Sequence, residues 1–487
     1  MSMKSKMHTK IVLWLFSLLL FVACHSERIA KERTDALPDI FPDYISVTIP
    51  YNIAPLNFKL ENVDDVQAAI TLDGNEMFRI NGEEGIVSFP LKDWKQLMEQ
   101  AKGKTIEVQV SAWNEKHPEG LEYRPFPVKV VPDKLDDWIA YRLIEPGYQG
   151  WRQMGIYQRE LSSFNEEEII TNKRSKNACI NCHHFPNRSS KSMMFHVRGK
   201  NGGTLFYQDG KVVKMNIDKI GPMKGAAYPA WHPEGRIIAF SSNITRQIFF
   251  GQGQQPIEVY DEGSDLIFFD TQTHEVLVDP RFNTSQVMET YPQWSPDGKT
   301  LYYVAADFKD KPMEREAVHY HLLSVPFDSA TRTLGEKIDT LYNAHIQGGS
   351  VSYPRVSPDG RYMLYTWTNF GTFPIWHQEA DLKMMDLQTG EAVDVSVWND
   401  AKQADSYHSW STNGRWVMYG SRRHDGRYTR LYFAYWDKEG KAHKPFLLPQ
   451  KDPRQNTWRL KSYNVPEFVD GQVELPASTI ELFKSED

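Results

Sequence analysis

Cys179, Cys182 and His183 stand in the order Cys-Ile-Asn-Cys-His within KNACINCHHFPNRSSKSMMFHVRG, residues 176–199. The chain holds three cysteines in 487 residues, so two of them placed three apart point to joint chemistry. Cys-x-x-Cys-His is the spacing of c-type haem attachment. Two thiols at this separation reach the two vinyl groups on one porphyrin edge, and the next residue presents an imidazole to the iron. On this reading Cys179 and Cys182 are thioether anchors, and His183 is the proximal metal ligand. The distal ligand must be His or Met. His196 is favoured, with Met194 and Met154 as alternatives, because His184 adjoins His183 and points elsewhere. Arg188, Lys191 and Arg198 are read as solvated charges, with pairing to haem propionates as the other role. Three other readings of the cysteines stay open. They form a disulfide, or they bind zinc with two of His183, His184 and His196, or they are simply buried thiols. No βαβ pattern accompanies the pair, which argues against a thioredoxin-like site.

Haem c is attached outside the cytoplasm, and the N-terminus fits that compartment. Lys4, Lys6 and Lys10 precede a 13-residue apolar run, Ile11–Ala23. That is short of the roughly 20 residues a membrane helix needs and matches a signal-peptide core. The run ends Phe-Val-Ala-Cys, which resembles a bacterial lipobox with Cys24 as the lipidated first mature residue. The expected location is therefore the bacterial cell envelope, with a lipid anchor in the inner or outer membrane. Lysines and arginines number 56 against 63 acids, spread without a basic stripe, so nucleic acid is not an expected partner.

The elements that must position the motif fall into three regions. Residues 1–23 read as signal peptide and 24–44 as a polar tether. Residues 45–132 alternate as short strands (ISVTIP, FKLENV, AAITLDG, MFRING, GIVSFP, IEVQVSAW, PVKVV) with one helix, LKDWKQLMEQA. This suggests a β-sandwich of immunoglobulin or fibronectin type. In residues 133–200, DDWIAYRLIEP and YQGWRQMGIYQRELSSF place apolar residues three and four apart, which predicts a short helical haem-binding segment.

The remainder repeats. YPAWHPEGRIIAF, YPQWSPDGKTLYY, YPRVSPDGRYMLY and YHSWSTNGRWVMY begin at Tyr228, Tyr291, Tyr353 and Tyr407. Each unit joins two strands through an Asp-Gly-like turn. Units of this size predict four-stranded blades, and at roughly 45 residues each they give about six over residues 201–476. GGTLFYQDGKVVKM reads as a first unit, SYNVPEFVDGQVEL as a degenerate last one, and 477–487 as a tail. The Tyr-Pro-x-Trp-Ser-Pro-Asp-Gly pattern resembles the TolB-like β-propeller family. The resemblance implies a mainly β fold with a C-terminal propeller and says little of function, since propellers bind, scaffold and catalyse alike.

Polar residues near the blade starts are candidates for an axial channel: His232, Glu262, Asp265, His377, Glu379, Asp381, His408 and Arg430. His319 and His321 in HYHLL share one face of a strand; an exposed strand face is the favoured reading of the pair, with a shared metal as the alternative. No nucleophile elbow, phosphate loop or zinc-protease motif is present, so no catalytic residue is assigned. Two functions are expected. One is an anchored c-type cytochrome that exchanges single electrons with a docked redox partner. The other is an envelope scaffold that binds a peptide, glycan or protein, with haem or zinc structural or sensory. An oxidoreductase with its catalytic site in the channel ranks below both.

Overall fold

The structure, a computed structural model, describes residues 28–145, 152–175, 177–199, 202–217, 225–252, 255–307 and 312–483. The signal peptide and Cys24 lie outside these residues.

The first module begins where the tether was expected. Glu32–Arg33 runs parallel to Leu121–Glu122, and Ile40–Phe41 pairs with Phe58–Leu60. Residues from 28 on therefore belong to this module rather than to a free linker. A seven-stranded sheet and a three-stranded sheet share one core with the helix Leu91–Ala101. The helix forms because Trp94, Leu97, Met98 and Ala101 make one apolar stripe, and all four are buried. The same core continues into the propeller through Trp416, Met418 and Phe433. Trp416 Nε1 donates to the Asp133 carbonyl at 3.0 Å, and the Tyr435 hydroxyl donates to Asp133 Oδ2 at 2.6 Å. These contacts seat the module on the propeller's side.

Among the described residues six sheets of four or five strands follow. Blade 1 contains Trp138–Ile144, Gly155–Glu160 and Glu166–Thr171, completed by the C-terminal strand Ser462–Val469. Blade 2 contains Ile180–His184, Ser192–Val197, Gly203–Gln208 and Lys211–Met215. Blades 3, 4, 5 and 6 begin with Ala227–Trp231, Val287–Trp294, Ser350–Val356 and Asp405–Trp410. The chain thus closes its ring by pairing its last strand with its first, Ile144 opposite Ser462 and Trp138 opposite Val469.

The helical segment expected over 133–200 is not helical. Among the described residues Trp138–Ile144, Gly155–Glu160, Glu166–Thr171 and Ile180–His184 are strands, with short 3₁₀ turns at Asn172–Ser175 and Pro186–Arg188, while 146–151 lie outside the described residues. The reason is burial on both faces. Ile139, Ala140, Tyr141 and Leu143 are all buried, and a two-sided apolar strand of this length imitates helical spacing. The propeller accordingly starts near residue 138, not 201. GGTLFYQDGKVVKM supplies the two outer strands of blade 2 rather than a first unit.

The six inner strands share one irregularity. Register slips at Cys182-His183, Tyr228-Pro229, Tyr291-Pro292, Tyr353-Pro354, Tyr407-His408 and Val465-Pro466. At each slip the first residue has positive φ, between 46° and 53°. Non-glycine residues resist this conformation at a cost of about 1–3 kcal/mol, so each bulge is held by the surrounding blades. A bulge also leaves one residue unpaired, which is why proline is tolerated there in four of the six strands.

Candidate functional site: the axial chamber

The inner strands enclose a chamber of about 880 Å³ on the propeller axis, a size that accepts a cofactor. The bulges aim their residues at it. Tyr228, Tyr291, Tyr353 and Tyr407 line it from blades 3 to 6, with neighbouring ring centroids 4.2, 4.3 and 4.9 Å apart. Burial raises the pKa of all four phenols, so they stay neutral hydrogen-bonding groups. On blade 2 the corresponding position belongs to Cys182, and Cys179 lines the same chamber. Both thiols are free, and burial raises the Cys179 pKa. Two strands of blade 3 form the upper wall. They run Ile237–Phe249 and Ile257–Asp270, far longer than their counterparts, and contribute Thr245, Gln247 and Val259.

His183 follows Cys182 and is buried. Its buried Nε2 has no hydrogen-bond partner. Glu467 Oε1 lies 3.6 Å from Nε2, too far for a hydrogen bond. Burial, against the attraction of Glu467, lowers the His183 pKa to about 4, so the imidazole is neutral. His196 sits on the second strand of blade 2 with its backbone opposite Asn181. Its Nδ1 is 2.7 Å from Thr204 Oγ1, and its buried Nε2 is also without a partner. Burial lowers its pKa to about 3.

The other sequence candidates separate cleanly. Met154 lines the chamber, but its sulfur accepts a hydrogen bond from the Ile180 N–H at 3.2 Å. Met194 lies in the core between blades 2 and 3, with Phe206, Trp231 and Phe240. His184 turns to Glu467 Oε2 at 2.8 Å. Of the eight polar residues assigned to the channel, only His408 reaches it. His232 meets the Gly298 carbonyl, Glu262 pairs with Arg246, and Arg430 donates to the carbonyls of Asn456, Arg459 and Lys461. Asp381 pairs with Lys383. Asp265 is buried, and burial raises its pKa to about 6. His377 pairs with Glu258 and Glu379. His319 and His321 bond to the backbone at Gly349 and Ala344. Among the described residues no group of three or more His, Cys, Asp or Glu side chains is placed to hold a metal ion.

Sequence reasoning missed Glu467, Arg355 and the tyrosine wall. The signal was available: Cys-His-His-Phe aligns with Tyr-Pro-Ala-Trp, Tyr-His-Ser-Trp and Val-Pro-Glu-Phe as one more inner strand.

The sequence matches no protein-family model and no curated protein. Several solved structures are similar to it. They include a puromycin hydrolase (12% identity, 64% of this chain and 45% of that one, TM-score 0.35). A second is the β-propeller domain of the trilobed protease from Pyrococcus furiosus, which has an open velcro topology (12%, 70% and 82%, 0.34). A third is the periplasmic gluconolactonase of Pseudomonas aeruginosa (12%, 64% and 97%, 0.33). This chain thus spans less than half of the puromycin hydrolase. The six sheets of the chain itself define the class: it is a mainly β protein of propeller type.

Proposed function

We propose that the chain is a lipid-anchored c-type cytochrome of the bacterial envelope, built on a TolB-like propeller, that exchanges single electrons with a docked redox partner. Cys179 and Cys182 are the thioether anchors, and His183 and His196 the two axial ligands. The observation that carries this reading is the shared state of the two histidines. Each has a buried Nε2 with no partner, and in His196 the other ring nitrogen, Nδ1, is held by Thr204. Buried polar atoms are rarely left unpaired, and a ligating imidazole has one nitrogen fixed by a hydrogen bond and the other free. Both histidines are neutral by burial, as metal ligation requires. Haem, when bound, supplies a one-electron couple. The protein's own part is to orient both imidazoles, to keep both cysteines on one wall, and to surround the site with neutral phenols.

The test is expression of the full chain in a host that matures c-type cytochromes. A pyridine haemochrome spectrum of the denatured protein with one haem per chain is the expected result. A colourless mature protein, or one whose pigment leaves on denaturation, overturns the proposal.

A further inference from the structure

The chamber's charge is unbalanced. Four arginines line it, Arg142, Arg188, Arg198 and Arg355, against a single carboxylate, Glu467. That carboxylate is already engaged by His184 Nδ1 at 2.8 Å and by the Phe185 N–H at 3.3 Å. Among the described residues none of the four arginines has an acidic partner within ion-pair distance. Their hydrogen bonds go to neutral acceptors. Arg355 donates to the Pro354 carbonyl, Arg188 to the Trp410 carbonyl, and Arg142 to Asn464 Oδ1. Arg198, on the rim, donates to the Asn181 amide oxygen at 3.1 Å in the amide orientation that satisfies both groups. Arg142 Nε is buried with no partner at all. Arg142, Arg188 and Arg355 are half-buried, and burial lowers the pKa of both Arg188 and Arg355. Withdrawing unpaired cations from water is costly, and guanidinium forks match planar carboxylates in two-point contact.

We infer that the axial chamber is a dicarboxylate site, in which the arginine cluster centred on Arg355 and Arg142 receives two carboxylate groups of one ligand. Two sources have this chemistry. One is the pair of propionates of the haem itself, an alternative that rests on the function proposed above. The other is a free dicarboxylate that enters the chamber, which does not. In the first case Arg355 and Arg142 position the cofactor and set its potential, because removing a nearby positive charge favours the more positive, oxidised form.

The experiment compares the mature full-length protein with Arg355→Leu, Arg355→Lys and the double variant Arg142→Gln/Arg198→Gln. It reads the midpoint potential by redox titration and succinate binding by calorimetry at low and high salt. If the propionates are the ligand, Arg355→Leu lowers the potential, Arg355→Lys restores most of it, and succinate does not bind. If a free dicarboxylate is the ligand, succinate binds the unmodified protein more weakly at high salt, Arg355→Leu weakens it at least tenfold, and the potential does not move. An unchanged potential together with no succinate binding overturns the inference. A mature protein without haem that still binds succinate through Arg355 ends the cytochrome reading and leaves the dicarboxylate site standing. Should Arg355→Leu fail to fold, the double variant at Arg142 and the exposed Arg198 gives the same readouts.

Discussion

Cys182 and Tyr228 occupy the same bulge of neighbouring inner strands, with φ of 52° and 48°. Each is the residue that its strand turns toward the propeller axis, and each lines the axial chamber. The equivalence explains how two cysteines come to lie in a propeller without a separate cytochrome domain. Blade 2 carries thiol and imidazole where blades 3, 4 and 5 carry phenol and proline, and the closing strand of blade 1 carries valine and proline. His183 takes the position of Pro229, Pro292 and Pro354, and only His408 on blade 6 shares that substitution.

Cys182→Ala is expected to leave the fold intact, because the bulge is shared by six strands and the thiol is not part of a hydrophobic core. The mature variant keeps its β-type circular dichroism and loses most of its haem staining on a denaturing gel. Retention of wild-type covalent haem counts against Cys182 as an anchor.

His196→Ala and Met194→Ala separate ligation from packing. The histidine change moves the haem spectrum from low spin to high spin or to a new ligand set. The methionine change leaves the spectrum as it is and costs about 2–5 kcal/mol of stability, since Met194 is fully buried among apolar side chains. Absorption spectra and urea titrations of the two variants decide this, and a spectral shift in Met194→Ala reverses the assignment.

The long hairpin of blade 3 is fastened to blade 5 by His377. Its Nε2 lies 3.1 Å from Glu258 Oε2, with both side chains almost wholly buried. Burial alone lowers the pKa of this imidazole, but Glu258 and Glu379 outweigh it and raise the value to about 9. A pKa raised on folding gives stability that is fully present below the unfolded value of about 6.5 and is lost as pH rises through 9. The contribution is on the order of 3 kcal/mol. Melting temperature should therefore fall between pH 7 and pH 10, and His377→Gln should flatten that slope. An equal slope in the variant excludes the pair as its source.

Glu289 runs the other way. It is buried at the boundary of blades 3 and 4, and burial together with nearby Asp265 raises its pKa to about 9. A carboxyl whose pKa rises on folding withdraws stability as pH climbs above its unfolded value of about 4.3. Glu289→Gln keeps the shape and removes the charge. It should raise the melting temperature at pH 8 and change it little at pH 4. Scanning calorimetry at the two pH values checks the sign.

The order of residues alone determined several things. Four Tyr-x-x-Trp-like repeats with tight Asp-Gly-type turns, recurring at 54 to 63 residues, point to repeated four-stranded units, because the same local strand-turn-strand pattern recurs at each. Cys179, Cys182 and His183 were legible as a unit because their spacing is local. What the repeats could not reveal was the ring closure, since Trp138–Ile144 meets Ser462–Val469 across more than three hundred residues. Nor could they show that an apolar run buried on both faces is strand rather than helix. The arginines and Glu467 of the chamber come from blades 1, 2, 5 and the closing strand, and nothing in their separate sequence surroundings relates them. Only the closed ring brings them within reach of His183, because side-chain charge acts over ångströms of space and not along the chain.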